Sequence, residues 1–247
     1  MSRNVNIVCG VLAFASTATA QSASLAPSVD SIAKQALQSS GVPSATLAVV
    51  RNGSLVYANA YGSAKLDPTS PASASMRYAV GSISKQFTAV AALILQQEGK
   101  LKLGDPISKY VPGLTRGNDV TLRMLLSHTS GYQDFWPQDY VMPGMLKATT
   151  PQAIADAWAK KPLDFEPGSR WQYSNTNYTL AGMAVQKAAG VPIWQFVKSR
   201  ILDPVGLTSA KDFDANPRAA DVTGYIRYGL GPLRPAPDAG PGWMWGA

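Results

Sequence analysis

The sequence predicts an α/β fold in which an antiparallel hairpin is combined with several helices. Two apolar runs, SATLAVV and SLVYANAY, flank Asn52-Gly53, the dipeptide that most strongly favours a two-residue hairpin turn. Apolar residues recur at helical spacing over 27–39, and Gly41 follows as a stop signal. A mostly helical region is predicted over about residues 100–205. The predicted order is therefore helix, hairpin, helix and helical block.

The remaining helices follow from apolar content and from their stop signals. Apolar residues dominate 84–97, no proline interrupts it, and Gly99 suits the end of a helix. Four later helices are predicted over 122–127, 151–160, 176–189 and 192–202. Few strands are recognised beyond the hairpin, and a hairpin alone is marginally stable. We therefore expect the sheet to be incomplete in this chain.

The first 20 residues resemble a cleavable export signal. Arg3 precedes an apolar stretch over 7–15, and Ala18-Thr19-Ala20 has the small-x-small pattern of a cleavage site. The apolar stretch is too short to span a bilayer. We expect cleavage after Ala20 and a periplasmic or secreted protein, with 21–247 as one domain.

Composition excludes several function classes. Cys9 is the only cysteine and lies in the signal, so the mature chain would have no disulfide and no thiolate chemistry. Removing Arg3 with the signal changes the net charge from +7 to +6, which favours small-molecule or peptide substrates that carry negative charge. The basic residues are dispersed, which argues against nucleic-acid binding, and no other stretch could span a membrane. No metal and no cofactor are expected.

A Ser-x-x-Lys string begins the helix over 84–97. Ser82 and Lys85 are three residues apart, so the amine can reach the hydroxyl on one helix face. A serine hydroxyl needs a neighbour that accepts its proton, and a buried lysine can do so. The alternative is an ordinary helix start with a solvated lysine. A second match, Ser31 with Lys34, lies within an amphipathic surface helix and is not expected to be catalytic.

A Tyr-x-Asn string adds a second candidate element. Tyr173 could relay a proton to a serine, and Asn175 could orient an acyl donor. The alternative for Tyr173 is a core aromatic residue that is hydrogen-bonded through its hydroxyl. Tyr57 and Asn59 match the same pattern, but they lie on the hairpin and are interpreted as strand residues.

The run from Ser82 through DPISKYVP, LLSHTSG and EPGSRWQYSN resembles the serine β-lactamase-like family. It is most similar to class C β-lactamases, with esterase and D-alanyl-D-alanine carboxypeptidase relatives. The resemblance implies an antiparallel sheet flanked by helices. It also implies that Ser82 is the acylated nucleophile, Lys85 its activating partner and Tyr173 the general base. Asn175 would contact the substrate amide and Lys85.

Two other residues are assigned structural roles. LSHTSG resembles a family turn, so we expect His128 to lie there and not in the active site. A Ser-His-Asp triad would have to use this single histidine, and no G-x-S-x-G elbow presents a serine to it. Glu166 lies in a Glu-Pro-Gly turn, which argues against a class A deacylation arrangement.

The third family motif, Lys-Thr-Gly or His-x-Gly, is not found. Lys102-Leu103-Gly104 is the nearest string, but it follows the helix of the nucleophile. We expect the N-terminal part of a hydrolase domain that acts on β-lactams, D-alanyl peptides or small esters. The loss of one oxyanion donor costs about 10²–10³ in rate, so this chain could be weakly active or inactive. The rival functions are a non-catalytic binder of cell-wall peptides and an inactive fragment.

Overall fold

A computed structural model describes residues 17–138, 140–216 and 220–246, and the chain forms two compact units that divide after Met76. Most of the predicted export signal, including Cys9, therefore lies outside the described residues. Among the helices that are described, none is both long and apolar enough to cross a bilayer.

The first unit is a helix followed by a small antiparallel sheet. Helix α1 spans Thr17–Ser40, and the sheet has the strand order β1 (Ser44–Arg51), β2 (Ser54–Leu66) and β3 (Thr69–Pro71). The predicted hairpin is confirmed, because Asn52 and Gly53 connect β1 to β2 with φ of 51° and 75°. The short strand β3 was not predicted.

The predicted start of the first helix is wrong. Helix α1 begins at Thr17, ten residues before the predicted start, and Pro27 lies inside it. Residues 17–26 are mostly alanine, serine and threonine with one leucine, and alanine has the highest helix propensity. The extension includes the predicted cleavage residues.

Strand β2 is linked to α1 by a polar cluster. One carboxylate oxygen of Asp30 accepts hydrogen bonds from the hydroxyls of Tyr57 and Tyr61 at 2.5 and 2.6 Å and from the Asn59 amide at 3.2 Å. These contacts hold the pKa of Asp30 below its ordinary value, with the Tyr57 bond as the main cause. Tyr57 and Asn59 therefore connect helix and strand, as expected for hairpin residues.

The second unit contains the remaining helices and a two-stranded ribbon. Its α-helices are α2 (Lys85–Gln97), α3 (Leu122–Leu126), α4 (Pro151–Ile154), α5 (Asn175–Ala189) and α6 (Ile193–Val197). Turns of 3₁₀ helix lie at Gly81–Ser84, Ile107–Lys109 and Pro143–Leu146, and π-helical turns extend α4 over Ala155–Ala159 and α6 over Lys198–Leu202. The ribbon pairs β4 (Tyr225–Ile226) with β5 (Arg234–Pro235).

These elements confirm all five helices predicted for this part of the chain. Helix α2 begins one residue later than predicted because the preceding turn is 3₁₀-helical. The π-helical turns were not predicted. Gly190 ends α5 in the left-handed region, at φ 71°, where a glycine is unstrained.

The core of the second unit lies between α2, α5 and α6. Its buried side chains include Ala92 and Leu95 of α2, Leu180 and Ala184 of α5, and Phe196 of α6. The small alanines let α2 and α5 approach closely. This packing fixes the N-terminal ends of both helices, where the candidate catalytic residues lie.

Candidate active site

The nucleophile candidate lies in the 3₁₀ turn before α2. Ser82 follows Gly81, whose φ of +53° favours glycine, and the turn continues directly into Lys85. Residues three apart eclipse one another in a 3₁₀ helix. The Lys85 Nζ therefore reaches the Ser82 Oγ at 3.0 Å.

Lys85 is buried and is held by polar and aromatic groups. Its side chain is among the buried polar residues, with 6% of the residue exposed. Its Nζ donates to Asn175 Oδ1 at 2.8 Å and lies 5.1 and 5.5 Å from the ring centroids of Tyr173 and Tyr178. Among the described residues, Lys85 has no direct salt bridge. A buried ammonium is therefore stabilised here by oxygen acceptors and by the faces of two aromatic rings.

The Tyr173 hydroxyl completes the group. It lies 2.7 Å from Ser82 Oγ and 3.3 Å from Asn175 Oδ1. Since Ser82 Oγ accepts a hydrogen bond from Lys85, the serine proton is free to point toward Tyr173. The structure thus brings the four predicted residues, Ser82, Lys85, Tyr173 and Asn175, into one hydrogen-bonded group.

His128 fixes the segment that carries Tyr173. The N–H of Gln172 donates to the His128 carbonyl at 2.9 Å, and the N–H of Ser174 donates to its Nδ1 at 3.2 Å. Its ring packs against the Tyr173 ring with centroids 4.6 Å apart. The predicted turn is present, with His128 at φ 58°. His128 does not line the cavity beside Ser82 and contacts Tyr173 only through its ring and the neighbouring backbone, which agrees with a structural role for the turn.

The environment of His128 favours the neutral imidazole. Burial, followed by the Lys85 ammonium, lowers the pKa of His128 to about 4, although the Asp134 carboxylate acts in the opposite direction. The hydrogen bond from Ser174 requires an unprotonated Nδ1, which agrees with that direction. His128 is therefore neutral at physiological pH.

Asn175 begins α5, and its amide is engaged at both ends. Oδ1 accepts from Lys85, while Nδ2 donates to Asp134 Oδ1 at 3.1 Å and to the carbonyl of Trp136 at 3.3 Å. Asp134 Oδ1 also accepts from the backbone N–H of Asn175 at 2.8 Å. A carboxylate at this position is favourable, because it faces the positive end of α5.

A cavity of about 370 Å³ opens beside the four residues. Its remaining lining residues are Gly81, Trp136, Gln138, Trp243 and Met244. Gln138 is notable because its buried Oε1 has no hydrogen-bond partner among the described residues. Sequence reasoning missed these residues, since no short motif marks them.

The other candidates lie elsewhere. Ser31 and Lys34 are exposed on α1, in the first unit. Glu166 forms a surface salt bridge with Arg116 at 2.5 Å, and its side chain is 75% exposed, as expected for a structural turn. Lys102 and Leu103 follow α2 in the connector, where their backbone N–H groups donate to Asp105 and Gln96.

A family model described as Beta-lactamase matches residues 29–247. The chain belongs to the β-lactamase family. It is 30% identical over 217 residues to the protein flp of Staphylococcus aureus, a match that covers 85% of this chain and 43% of flp. The chain therefore spans less than half the length of this family member.

Solved structures of similar proteins share the fold of this chain. The octameric penicillin-binding protein homologue from Pyrococcus abyssi is similar with a TM-score of 0.77 at 30% identity, over 90% of this chain and 52% of that one. A class C β-lactamase is similar with a TM-score of 0.69 at 28% identity, over 85% and 57% of the two chains. The predicted β-lactamase-like fold is confirmed, and its small antiparallel sheet represents the domain only in part.

Proposed function

We propose that the protein is an exported serine hydrolase that forms an acyl-enzyme at Ser82 on β-lactams, D-alanyl peptides or small esters. The observation that carries this proposal is the convergence on Ser82 Oγ of the Tyr173 hydroxyl at 2.7 Å and the Lys85 amine at 3.0 Å. Membership of a family of serine hydrolases supports the same chemistry.

In the proposed reaction, Tyr173 acts in its deprotonated form, and Ser82 Oγ attacks the carbonyl carbon of the substrate as its proton moves to the Tyr173 oxygen. The contact from Lys85 leaves that proton directed at the phenol oxygen and stabilises negative charge on Oγ as the bond forms. Collapse of the tetrahedral intermediate breaks the bond to the leaving group, which takes up the proton that Tyr173 received from Ser82. Water then hydrolyses the ester at Ser82. No metal and no cofactor take part in these steps.

The cavity supports a substrate with an apolar group beside its carbonyl. Trp136, Trp243 and Met244 provide apolar walls, while Lys85 and Asn175 provide polar groups on the side of the nucleophile. Asn175 is proposed to contact the substrate amide, as the family resemblance implies. Its Nδ2 donates to Asp134 and Trp136, so such a contact would share or replace one of those bonds.

The test is covalent labelling with a fluorescent penicillin and a fluorescent fluorophosphonate. Ser82→Ala should abolish the adduct, while Ser31→Ala, which alters the other Ser-x-x-Lys string, should label at the rate of the wild type. Labelling that survives Ser82→Ala would refute the proposal. Saturable binding of peptidoglycan fragments without an adduct, and unchanged in Ser82→Ala, would instead support the non-catalytic binder.

We also propose that export removes residues 1–20. The basic start, the short apolar stretch and the Ala18-Thr19-Ala20 pattern support this. Expression in a bacterial host followed by mass spectrometry of the periplasmic fraction should find a chain that begins at Gln21. A chain found only in the cytoplasm with its first residues intact would contradict the proposal.

A further inference from the structure

We propose that Asp134 is a positioning residue that fixes the orientation of the Asn175 amide and so keeps its carbonyl oxygen on the Lys85 amine. The expected effect of Asp134 on the rate of Ser82 acylation rests on the proposed function. The contacts among Asp134, Asn175 and Lys85 rest only on geometry.

The contacts around the Asn175 amide match hydrogen-bond donors to acceptors. On one side, Asn175 Oδ1 accepts from Lys85 Nζ at 2.8 Å and from the Tyr173 hydroxyl at 3.3 Å. On the other side, Nδ2 lies 3.1 and 3.3 Å from the two carboxylate oxygens of Asp134. Every donor therefore meets an acceptor.

The reversed orientation of the Asn175 amide would be unfavourable. Rotation by half a turn would place an NH₂ group against the Lys85 ammonium and an oxygen against the Asp134 carboxylate. Donors would face donors, and two acceptors would face each other. An ionised carboxylate can only accept hydrogen bonds, so Asp134 discriminates strongly between the two orientations.

The Asp134 carboxylate is itself held in place by backbone hydrogen bonds. Its Oδ1 accepts from the backbone N–H groups of Trp136 at 3.1 Å and Asn175 at 2.8 Å. The carboxylate is thus fixed by its own loop and by the start of α5 before it contacts the amide. The Asn175 amide bridges it to the buried Lys85, which lacks a direct salt bridge among the described residues.

The experiment compares labelling rates in a double-mutant cycle. Asp134→Asn keeps the size of the side chain but leaves an amide that can present NH₂ to Nδ2 of Asn175. We expect Ser82 labelling by the fluorescent penicillin to fall about 10- to 100-fold, because a displacement of about 1 Å near the reacting group costs about 100-fold. Since Asp134 acts through Asn175, the double variant Asp134→Asn/Asn175→Ala should label no more slowly than Asn175→Ala alone.

Asp164→Asn is the matched control. Asp164 accepts from the Gln172 side chain at 2.6 Å, next to Tyr173, but does not contact Asn175. It should label within about twofold of the wild type. Labelling by Asp134→Asn at the wild-type rate, or losses that multiply in the double variant, would overturn the inference.

A second measurement separates this inference from the proposed function and needs no variant of Asp134. In the wild-type protein, the side-chain NH₂ protons of Asn175 should exchange with solvent at least tenfold more slowly than those of the exposed Asn52. NMR measures both rates, and the Asn175 signals are those missing from Asn175→Ala. Fast exchange would refute the positioning role even if Ser82 labels. Slow exchange without Ser82 labelling would refute only the proposed function.

Discussion

The half-buried His128 should make the stability of the protein depend on pH. Burial and the Lys85 ammonium lower the pKa of His128 to about 4, from 6.5 for an ordinary histidine. The unfolded chain therefore binds a proton at this site before the folded chain does. The stability that the neutral His128 contributes is fully present above pH 6.5 and is lost as the pH falls from 6.5 toward 4. Below pH 4 the free energy of unfolding no longer changes through this group.

The magnitude follows from linkage. One pKa unit corresponds to about 1.4 kcal/mol, so the full shift at His128 would correspond to about 2.5 kcal/mol between pH 7.5 and pH 4.5. Because the ring is only half-buried, solvent screening reduces the expected loss to about 1–2 kcal/mol. The comparison protein is His128→Asn, which does not titrate. Asparagine tolerates the positive φ of this position, and its side-chain oxygen can accept the N–H of Ser174.

The assay is urea unfolding followed by tryptophan fluorescence at the two pH values. The wild type should lose about 1–2 kcal/mol more than His128→Asn, since other titrating groups, including Asp214, are common to both. The chain has a single histidine, so its C2 proton can be identified by NMR without further assignment. A titration midpoint near 6.5, with equal pH dependence in the two proteins, would refute this account of the site.

Two further predictions concern the phenol and the adjacent turn. Tyr173→Phe keeps the ring on His128 but removes the hydroxyl 2.7 Å from Ser82, so labelling should fall about 10²- to 10⁴-fold, while Tyr57→Phe should label at the wild-type rate. An unchanged rate in Tyr173→Phe would rule out the proton relay. Gly131→Ala should lower the free energy of unfolding by at least about 2 kcal/mol, because φ is +86° and the new Cβ would lie 2.3 Å from the carbonyl of Phe165. Gly144→Ala meets no atom within 4 Å and should change stability by less than about 0.5 kcal/mol, and equal effects in a urea titration would contradict this reasoning.

Local signals predicted much of the fold. Asn52-Gly53 located the hairpin, because only a few residues accept positive φ at both turn positions. Gly190 separated α5 from α6 for the same kind of reason. The start of α1 was misplaced because Pro27 was interpreted as the first helical residue, although the preceding alanines can continue the helix. The strand β3 has three residues, which is too short to give a periodic pattern.

The candidate site was predictable where it follows a motif and not where it depends on distant contacts. Ser82 and Lys85 are neighbours in one turn, so their spacing alone indicated their contact. Asp134 is 41 residues from Asn175, and no periodicity relates the two. The contact between His128 and Tyr173 was missed for the same reason. Both pairs come together only because the segment over 128–136 folds against the start of α5.

The same packing explains why two helix ends meet at one hydroxyl. Helices α2 and α5 pack together through small side chains, including Ala92 and Ala184, and each begins at the candidate site. The positive end of a helix stabilises nearby negative charge. At α5 this end is occupied by Asp134, through the backbone N–H of Asn175. The carboxylate thus satisfies the end of α5 and orients the amide that contacts Lys85, while the turn before α2 carries the group that would be acylated. Asp134, which lies in a loop, therefore contacts both the start of the packed helix α5 and the Asn175 amide that holds Lys85.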